Sequence, residues 1–280
     1  MNLSLQAAGS RLRTLRSSLL ACYRDEDLHQ LRVTLRRMRA ALLGKGSARE
    51  SRPQVQQLRK ELGALARSTN SARDWDTLVA SARDELRPEQ FRDLQALLEQ
   101  RRETARAQVY RMFHSHQWRA TLDSWEAHLQ QAGIETGGHA PTPGELANRL
   151  TRANAAGRKA LSRGDDRSWH KLRIAIKELR YGLDMPGAQA MPAPFGTRLL
   201  DECETLQELL GGWHDTVVHR QLLDAMAEQG LLDPTTPAGR AADALGQALA
   251  ASGRQLLEQT RLRLGRADLH PAAAVAGGHN

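Results

Sequence analysis

The sequence predicts an all-α protein made of two four-helix bundles that repeat one another. Apolar residues recur at helical spacing along most of the 280 residues, whereas no run keeps the period of two that a strand requires. Aromatic residues make up only 4% of the chain, which is too few for a β-sandwich or barrel. The ten prolines fall between the periodic segments, so they separate helices.

Eight helices follow from this periodicity, four in each half of the chain. They are expected at residues 4–22, 25–43, 53–84, 88–132, 144–163, 166–184, 195–229 and 238–265. Residues 133–144 have the composition of a linker. The resulting division is a first four-helix half (1–135), a linker (136–143), a second four-helix half (144–268) and a flexible tail (269–280).

The composition is that of a soluble globular protein with excess positive charge. The net charge is +8, and because the chain has five lysines, 35 of its 40 basic residues are arginine. A guanidinium group presents a planar fork that grips phosphate at two points, although a GC-rich genome explains the same bias. The charge favours a polyanion, namely nucleic acid, polyphosphate or an anionic membrane surface, without choosing among them.

A cytoplasmic location is expected for this chain. Cys22 and Cys203 are too few for a disulfide framework or a cysteine-rich zinc site. The opening residues lack the apolar core of a signal peptide. No run reaches the ~18 apolar residues that a membrane span needs.

The sequence resembles itself at an offset of 141 residues. The segment HQLRVTLRRMR, which starts at His29, returns as HKLRIAIKELR, which starts at His170. Four of the eleven positions are identical and four more are exchanges of similar type. Asp74 and Asp215 each lie 45 residues after their histidine, which supports the same register. The repeat predicts two homologous halves.

A helical wheel separates a core stripe from a basic stripe in each repeat. The apolar stripes are Leu28, Leu31, Leu35, Met38 and Leu42, and Trp169, Leu172, Ile176, Leu179 and Leu183. The adjoining arcs carry what we call the first basic row (His29, Arg32, Arg36 and Arg39) and the second basic row (His170, Arg173, Lys177 and Arg180). Arg37 points elsewhere and its counterpart is Glu178. Only the rows keep their charge in both halves.

Such rows need counter-charges, because like charges at these spacings repel by about 0.2–0.5 kcal/mol per pair. One source is internal pairing, for which the candidates are Asp74, Asp76, Asp215, Glu61 and Glu202. The other source is a bound anion, which the duplication of the rows favours. Further basic residues that would widen the binding surface are Arg11, Arg16, Arg152, Arg158, Lys159, Arg101, Arg102 and Arg106.

At these residues the sequence resembles the CHAD family, the conserved histidine α-helical domain. The shared element is H-x-L-R-[VI]-x-x-[RK]-x-x-R, which occurs twice, followed by R-D-x-D and L-x-x-L-L-G-x-x-x-D segments; the resemblance covers about residues 5–265. It implies two four-helix bundles related by a pseudo-two-fold axis and a central basic groove or channel that binds inorganic polyphosphate. It also implies association with polyphosphate granules.

The resemblance assigns polyphosphate binding to both basic rows, and Arg11, Arg16, Arg152 and Lys159 are added as flanking candidates. The sequence departs from the family pattern at His214, beside Trp213, which leaves the role of His214 open. Many family members also carry a triphosphate-tunnel domain with an E-x-E-x-K element. This sequence lacks that element, so we expect the binding module to stand alone.

No enzymatic, metal or cofactor site is expected. His114 and His116 form an H-x-H pair without nearby carboxylates, which is typical of exposed helix residues rather than of metal ligands. No phosphate loop, nucleophile elbow or carboxylate cluster for magnesium occurs. The remaining alternative is a basic helical protein that binds nucleic acid through the same surface, and no membrane partner is expected.

Overall fold

The computed structural model describes residues 5–42, 53–132, 141–184 and 195–266, and these residues are almost entirely helical, without a strand. The predicted all-α fold class is confirmed. The chain divides into two compact units, Met1–His139 and Ala140–Asn280. Most of the expected linker and the whole of the expected tail lie outside the described residues.

The described residues of the first unit form six helices. These are α1 (Leu5–Ala21), α2 (Asp25–Ala41), α3 (Pro53–Ser68), α4 (Asn70–Glu85), α5 (Pro88–His114) and α6 (His116–Ala132). The single helices expected at 53–84 and at 88–132 are therefore each two helices, separated at Thr69 and at Ser115. This corrects the expected count of four helices in the first half.

Both breaks have a polar cause. Ser115 has an extended backbone (φ −71°, ψ 153°), and its Oγ accepts a hydrogen bond from the Trp118 N–H at 3.1 Å, which starts α6 as an N-cap does. The Oγ1 of Thr69 donates to the Ala66 carbonyl at 2.8 Å. Thr69 Oγ1 also accepts a hydrogen bond from Arg32 of α2 at 2.8 Å. A contact from another helix thus holds the α3–α4 junction.

The second unit contains four helices in its described residues. These are α7 (Pro143–Arg163), α8 (Asp166–Leu183), α9 (Phe195–Glu228) and α10 (Pro237–Arg266). Gly164 ends α7 in the left-handed region (φ 67°), a conformation that glycine adopts without steric penalty. Asp165 then caps α8 by accepting from the Ser168 N–H at 2.7 Å. This tight turn places α7 and α8 side by side.

One apolar stripe lies at the centre of each unit, as the helical wheel predicted. Leu28, Leu31, Leu35 and Met38 of α2 are all 0% exposed. In α8, Trp169, Leu172, Ile176 and Leu179 are also 0% exposed and pack with apolar residues of α7 and α9. Each such side chain stabilises the fold by about 1.5–3 kcal/mol on burial. The buried stripe fixes the rotation of α2 and of α8, and with it the direction of each basic row.

Candidate anion-binding site

The first basic row runs along the edge of α2 beside the buried stripe. His29 and Arg32 are half-buried, whereas Arg36 and Arg39 are exposed. The exposure of the side chains therefore increases along the row from His29 to Arg39.

Arg32 is held in place by the junction of α3 and α4. Its Nη1 donates to the Ala66 carbonyl at 3.2 Å, to Thr69 Oγ1 at 2.8 Å and to Asn70 Oδ1 at 2.7 Å. Burial lowers the pKa of Arg32, which the charge of Asp74 partly offsets. Arg32 therefore contributes positive charge to the row while it also ties α2 to the α3–α4 junction.

Neighbouring helices add cations to the first row. Arg73 of α4 is the strongest charge acting on His29, whose pKa is lowered first by burial and then by Arg73 and the row itself. At the other end, burial followed by the charges of Arg59 and Arg67 of α3 lowers the pKa of Arg39. These residues extend the row into a patch of like charge. A bound anion would stabilise it.

Gly63 of α3 leaves room for the side chain of Arg39, which reaches it from α2. A Cβ atom at Gly63 would lie 3.3 Å from Arg39 Cζ and 3.3 Å from Arg67 Nη1, so the guanidinium groups lie across the glycine. Arg59, Gly63 and Arg67 share one face of α3 at four-residue spacing. Among the described residues, no carboxylate forms a salt bridge with Arg39 or Arg32.

The acidic residues expected to neutralise the rows are mostly engaged elsewhere. Asp76 pairs with Arg106 at 2.9 Å, Glu202 pairs with Arg263 at 3.2 Å, and Glu61 accepts from Gln57 at 2.9 Å. Asp74 acts on Arg32 electrostatically. Three of the five acidic candidates, Asp76, Glu202 and Glu61, thus have a partner outside the rows.

The second basic row lies on the corresponding edge of α8, and all four side chains are half-buried. Arg180 differs from the others, because it forms a salt bridge with Glu204 of α9 at 3.2 Å and donates to Gln207 at 3.3 Å. The ammonium group of Lys177 lies 5.9 Å from the centre of the Tyr181 ring. The charge of Arg180 is therefore partly neutralised within unit 2.

His214 of α9 joins the second row. Its ring centroid lies 5.2 Å from that of His170. Burial, followed by the charges of Arg173, His170 and Lys177, lowers the pKa of His214 to about 4. The sequence left the role of His214 open, yet the repeat contains the signal, because His214 and Arg73 occupy equivalent positions at the 141-residue offset.

The flanking candidates are dispersed. Arg11 is exposed on α1, and Arg16 donates to the Phe113 carbonyl at 3.2 Å, near the end of α5. Arg152 pairs with Glu178 at 3.6 Å. Lys159 lies in a separate cavity at the α7–α8 turn. Within unit 2, neither Arg152 nor Lys159 is brought to the second row by an observed contact.

In the described parts of the chain, no three His, Cys, Asp or Glu side chains lie together in a way that could hold a metal ion, and His114 and His116 are exposed. None of the described helices combines the length and apolar character needed to cross a bilayer.

The comparisons with a family model and with solved structures point to the same family. The family model described as CHAD domain matches residues 5–224. Among solved structures, the crystal structure of the CHAD domain from the plant Ricinus communis has 22% sequence identity and a TM-score of 0.68; the match covers 95% of this chain and 90% of that chain. At this identity the likeness concerns the fold. A comparison with curated protein sequences gave no significant match.

Proposed function

Because the chain belongs to the CHAD domain family, we propose that it binds inorganic polyphosphate through its two basic rows and performs no chemistry on the polymer. The observation that supports this is the duplicated row, in which α2 and α8 each present four basic residues beside a buried stripe. The first row gains cations from neighbouring helices, namely Arg59, Arg67 and Arg73, and the second row gains the imidazole of His214, which is neutral at pH 7 in the free protein. Association with cytoplasmic polyphosphate granules belongs to the same proposal.

Polyphosphate fits these rows because it is a flexible chain with about one charge per phosphate unit. When arginines of the protein replace the counterions of the polymer, those counterions are released. The affinity for the polymer therefore falls steeply with salt concentration, as it does for nucleic acids. The fork of each guanidinium can hold two oxygens of one phosphate. No base readout is required, and a linear row of cations is sufficient.

The position of the tryptophans favours polyphosphate over single-stranded nucleic acid. Proteins that bind single strands stack bases on exposed aromatic rings. All five tryptophans of this chain (Trp75, Trp118, Trp125, Trp169 and Trp213) are at most 8% exposed. They serve the core and cannot act as stacking platforms, which leaves the half-buried Tyr181 as the aromatic ring beside the second row.

We expect long-chain polyphosphate to release the protein from polyphosphate beads more effectively than single-stranded or duplex DNA at equal phosphate concentration. The logarithm of the binding constant should fall linearly with the logarithm of the salt concentration, with a slope of roughly −0.7 to −0.9 per phosphate contact by analogy with nucleic acids. The measurement is elution across a salt series with each competitor. Equal displacement by DNA would identify a general polyanion binder, and shortening of the polymer after incubation with magnesium would identify an enzyme.

Binding is expected to strengthen as the pH falls from about 7.5 to about 5. With a pKa of about 4, His214 is neutral at pH 7 in the free protein. A polyanion beside it favours the imidazolium and raises this pKa, so binding takes up protons and affinity rises by at most about tenfold per pH unit for each proton. His29, whose pKa is also lowered, acts in the same direction.

The measurement is isothermal titration with polyphosphate in buffers of different ionisation enthalpy, which counts the protons taken up. His214→Gln should reduce the uptake, whereas His116→Gln, at an exposed position, should leave it unchanged. An unaltered uptake in His214→Gln would contradict the assignment. Because the unfolded His214 binds protons at higher pH than the folded one, the free protein itself loses stability over this range, so melting must be recorded at each pH.

A further inference from the structure

A second basic cluster lies at the α7–α8 turn of unit 2. Lys159 and Arg163 at the end of α7 face Arg167 and Lys171 at the start of α8, and together with Asp165 and Ser168 they line a cavity of about 160 Å³. We call this set the turn pocket. Each pair of cations is four residues apart and therefore lies on one face of its helix. The left-handed Gly164 and the Asp165 cap fix the turn that brings the two faces together.

The charge of the turn pocket is unbalanced. Four cations and one carboxylate give a net charge of +3. The carboxylate is engaged by its hydrogen bonds with Ser168, which lower the pKa of Asp165. Within the described residues, none of the four cations forms a hydrogen bond or a salt bridge with another side chain. All four are exposed, so they are free to close on a ligand.

Arg167 is also placed against the helix dipole. The first turn of a helix carries partial positive charge and attracts anions, yet Arg167 occupies this turn in α8. Unpaired backbone N–H groups at such a terminus form a natural contact for phosphate oxygens. Asp166 lies in the same turn and offsets the charge of Arg167, so the N–H groups of the terminus are what an anion in the pocket would contact.

The turn pocket is separate from the second basic row. From the mean direction of that row, Arg167 and Lys171 point about 100° and 140° around α8. The turn pocket also has no equivalent in unit 1. At the 141-residue offset, its four cations correspond to Ser18, Cys22, Glu26 and Gln30.

In unit 1 the equivalent turn is closed by an ordinary polar contact. The Ser18 hydroxyl donates to Asp27 at 2.6 Å, and the positions equivalent to this pair in unit 2 are Lys159 and Ser168. The fold of the turn therefore does not require cations there. The local fold therefore does not explain their presence in unit 2.

We propose that the turn pocket is a second anion site, which binds a short inorganic oligophosphate independently of the basic rows. Its lining consists of charged and hydroxyl side chains only, so it offers phosphate oxygens several donors. The lining lacks the apolar wall that a nucleobase or other organic group would need. Tripolyphosphate is the matching probe. Adenosine triphosphate also carries a triphosphate, but its base would have no apolar side chain of the lining to pack against.

The test is titration calorimetry of the full chain with sodium tripolyphosphate, in a background in which Arg36→Gln and Arg173→Gln weaken the rows. We expect this background to retain a tripolyphosphate site of stoichiometry near one. Lys159→Ala with Lys171→Ala should weaken that site by about a hundredfold, since each lost charge-assisted bond is worth about a factor of ten. Adenosine triphosphate should bind no more tightly than tripolyphosphate.

The matched control is Arg198→Ala with Arg254→Ala in the same background. Both control residues are exposed arginines of unit 2 outside the pocket, so the change in net charge is identical. Equal weakening by the control pair would overturn the proposal in favour of a general charge effect, as would the absence of tripolyphosphate binding in the background. Retention of the Lys159→Ala/Lys171→Ala variant on polyphosphate beads, with both rows intact, tests the rows separately, so the two proposals fail in distinguishable ways.

Discussion

Charge reversal at one arginine of each basic row, Arg36→Glu with Arg173→Glu, is expected to remove retention on polyphosphate at physiological salt. Each substitution removes a charge-assisted contact worth about 1.5–3 kcal/mol. The pair therefore weakens binding by roughly 4 kcal/mol, or about a thousandfold. The new carboxylates repel the polymer in addition. The measurement is a binding isotherm on polyphosphate beads across a salt series.

The choice of these two residues follows from their surroundings. Arg36 is exposed and Arg173 is half-buried, so neither is needed by the core. Arg32 would be a poor choice because its Nη1 supports the α3–α4 junction with three hydrogen bonds. Arg180 is already partly neutralised by Glu204, so its substitution would have a smaller effect.

The control for this variant is Arg37→Glu with Arg198→Glu, which changes the net charge by the same amount at two exposed positions. Arg37 lies on α2 outside the first row. We expect the control to keep most of the binding, with a modest change in salt dependence from long-range charge. If the two double variants lose retention equally while their circular dichroism matches the wild type, specific binding by the rows is wrong.

The sequence predicted most helices because the signals for them are local. Pro53, Pro88, Pro143 and Pro237 each stand at the first position of a helix, where proline loses no hydrogen bond. The break at Ser115 had a local signal as well, a serine three residues before the first buried tryptophan of α6. The break at Thr69 had none, because the side chain that holds it, Arg32, comes from another helix.

The direction of the two rows was predictable from the sequence, but their neighbours were not. A buried stripe sets the rotation of a helix, and the adjoining arc follows from 3.6 residues per turn. Whether His214 faces His170, or Arg67 faces Arg39, depends on how two helices pack, and one sequence does not specify that. For the same reason, the sequence places Arg106 on the basic surface, whereas in the structure this residue is only 9% exposed.

Arg106 lies at the centre of a buried polar network in unit 1. Its Nε and Nη2 donate to Asp76 Oδ1 at 3.2 and 2.9 Å, and Asp76 is 2% exposed. The Tyr23 hydroxyl donates to Asp76 Oδ2 at 2.9 Å, and the guanidinium lies 4.0 Å from the centre of the Tyr23 ring. Every oxygen of Asp76 thus has a donor. The network links Tyr23, which lies between α1 and α2, to α4 and α5.

Replacement of Arg106 by leucine is expected to destabilise unit 1 by about 3–5 kcal/mol, because it leaves the Asp76 carboxylate buried without its cation. At about 2–4 °C per kcal/mol for a domain of this size, the melting temperature should fall by roughly 10 °C. Burial, followed by the charge of Asp25, already raises the pKa of Asp76. Loss of Arg106 raises it further, so the deficit should shrink as the pH falls and Asp76 takes up a proton.

The double variant Asp76→Leu/Arg106→Leu distinguishes a buried-charge penalty from a simple loss of packing. Replacement of both partners by apolar groups is often nearly neutral, so the double variant should recover most of the stability that the single variant loses. The measurement is thermal and denaturant unfolding of the wild type, both single variants and the double variant, analysed as a mutant cycle. A double variant that is as unstable as Arg106→Leu would mean that the guanidinium stabilises unit 1 through its packing on Tyr23 rather than through the charge of Asp76.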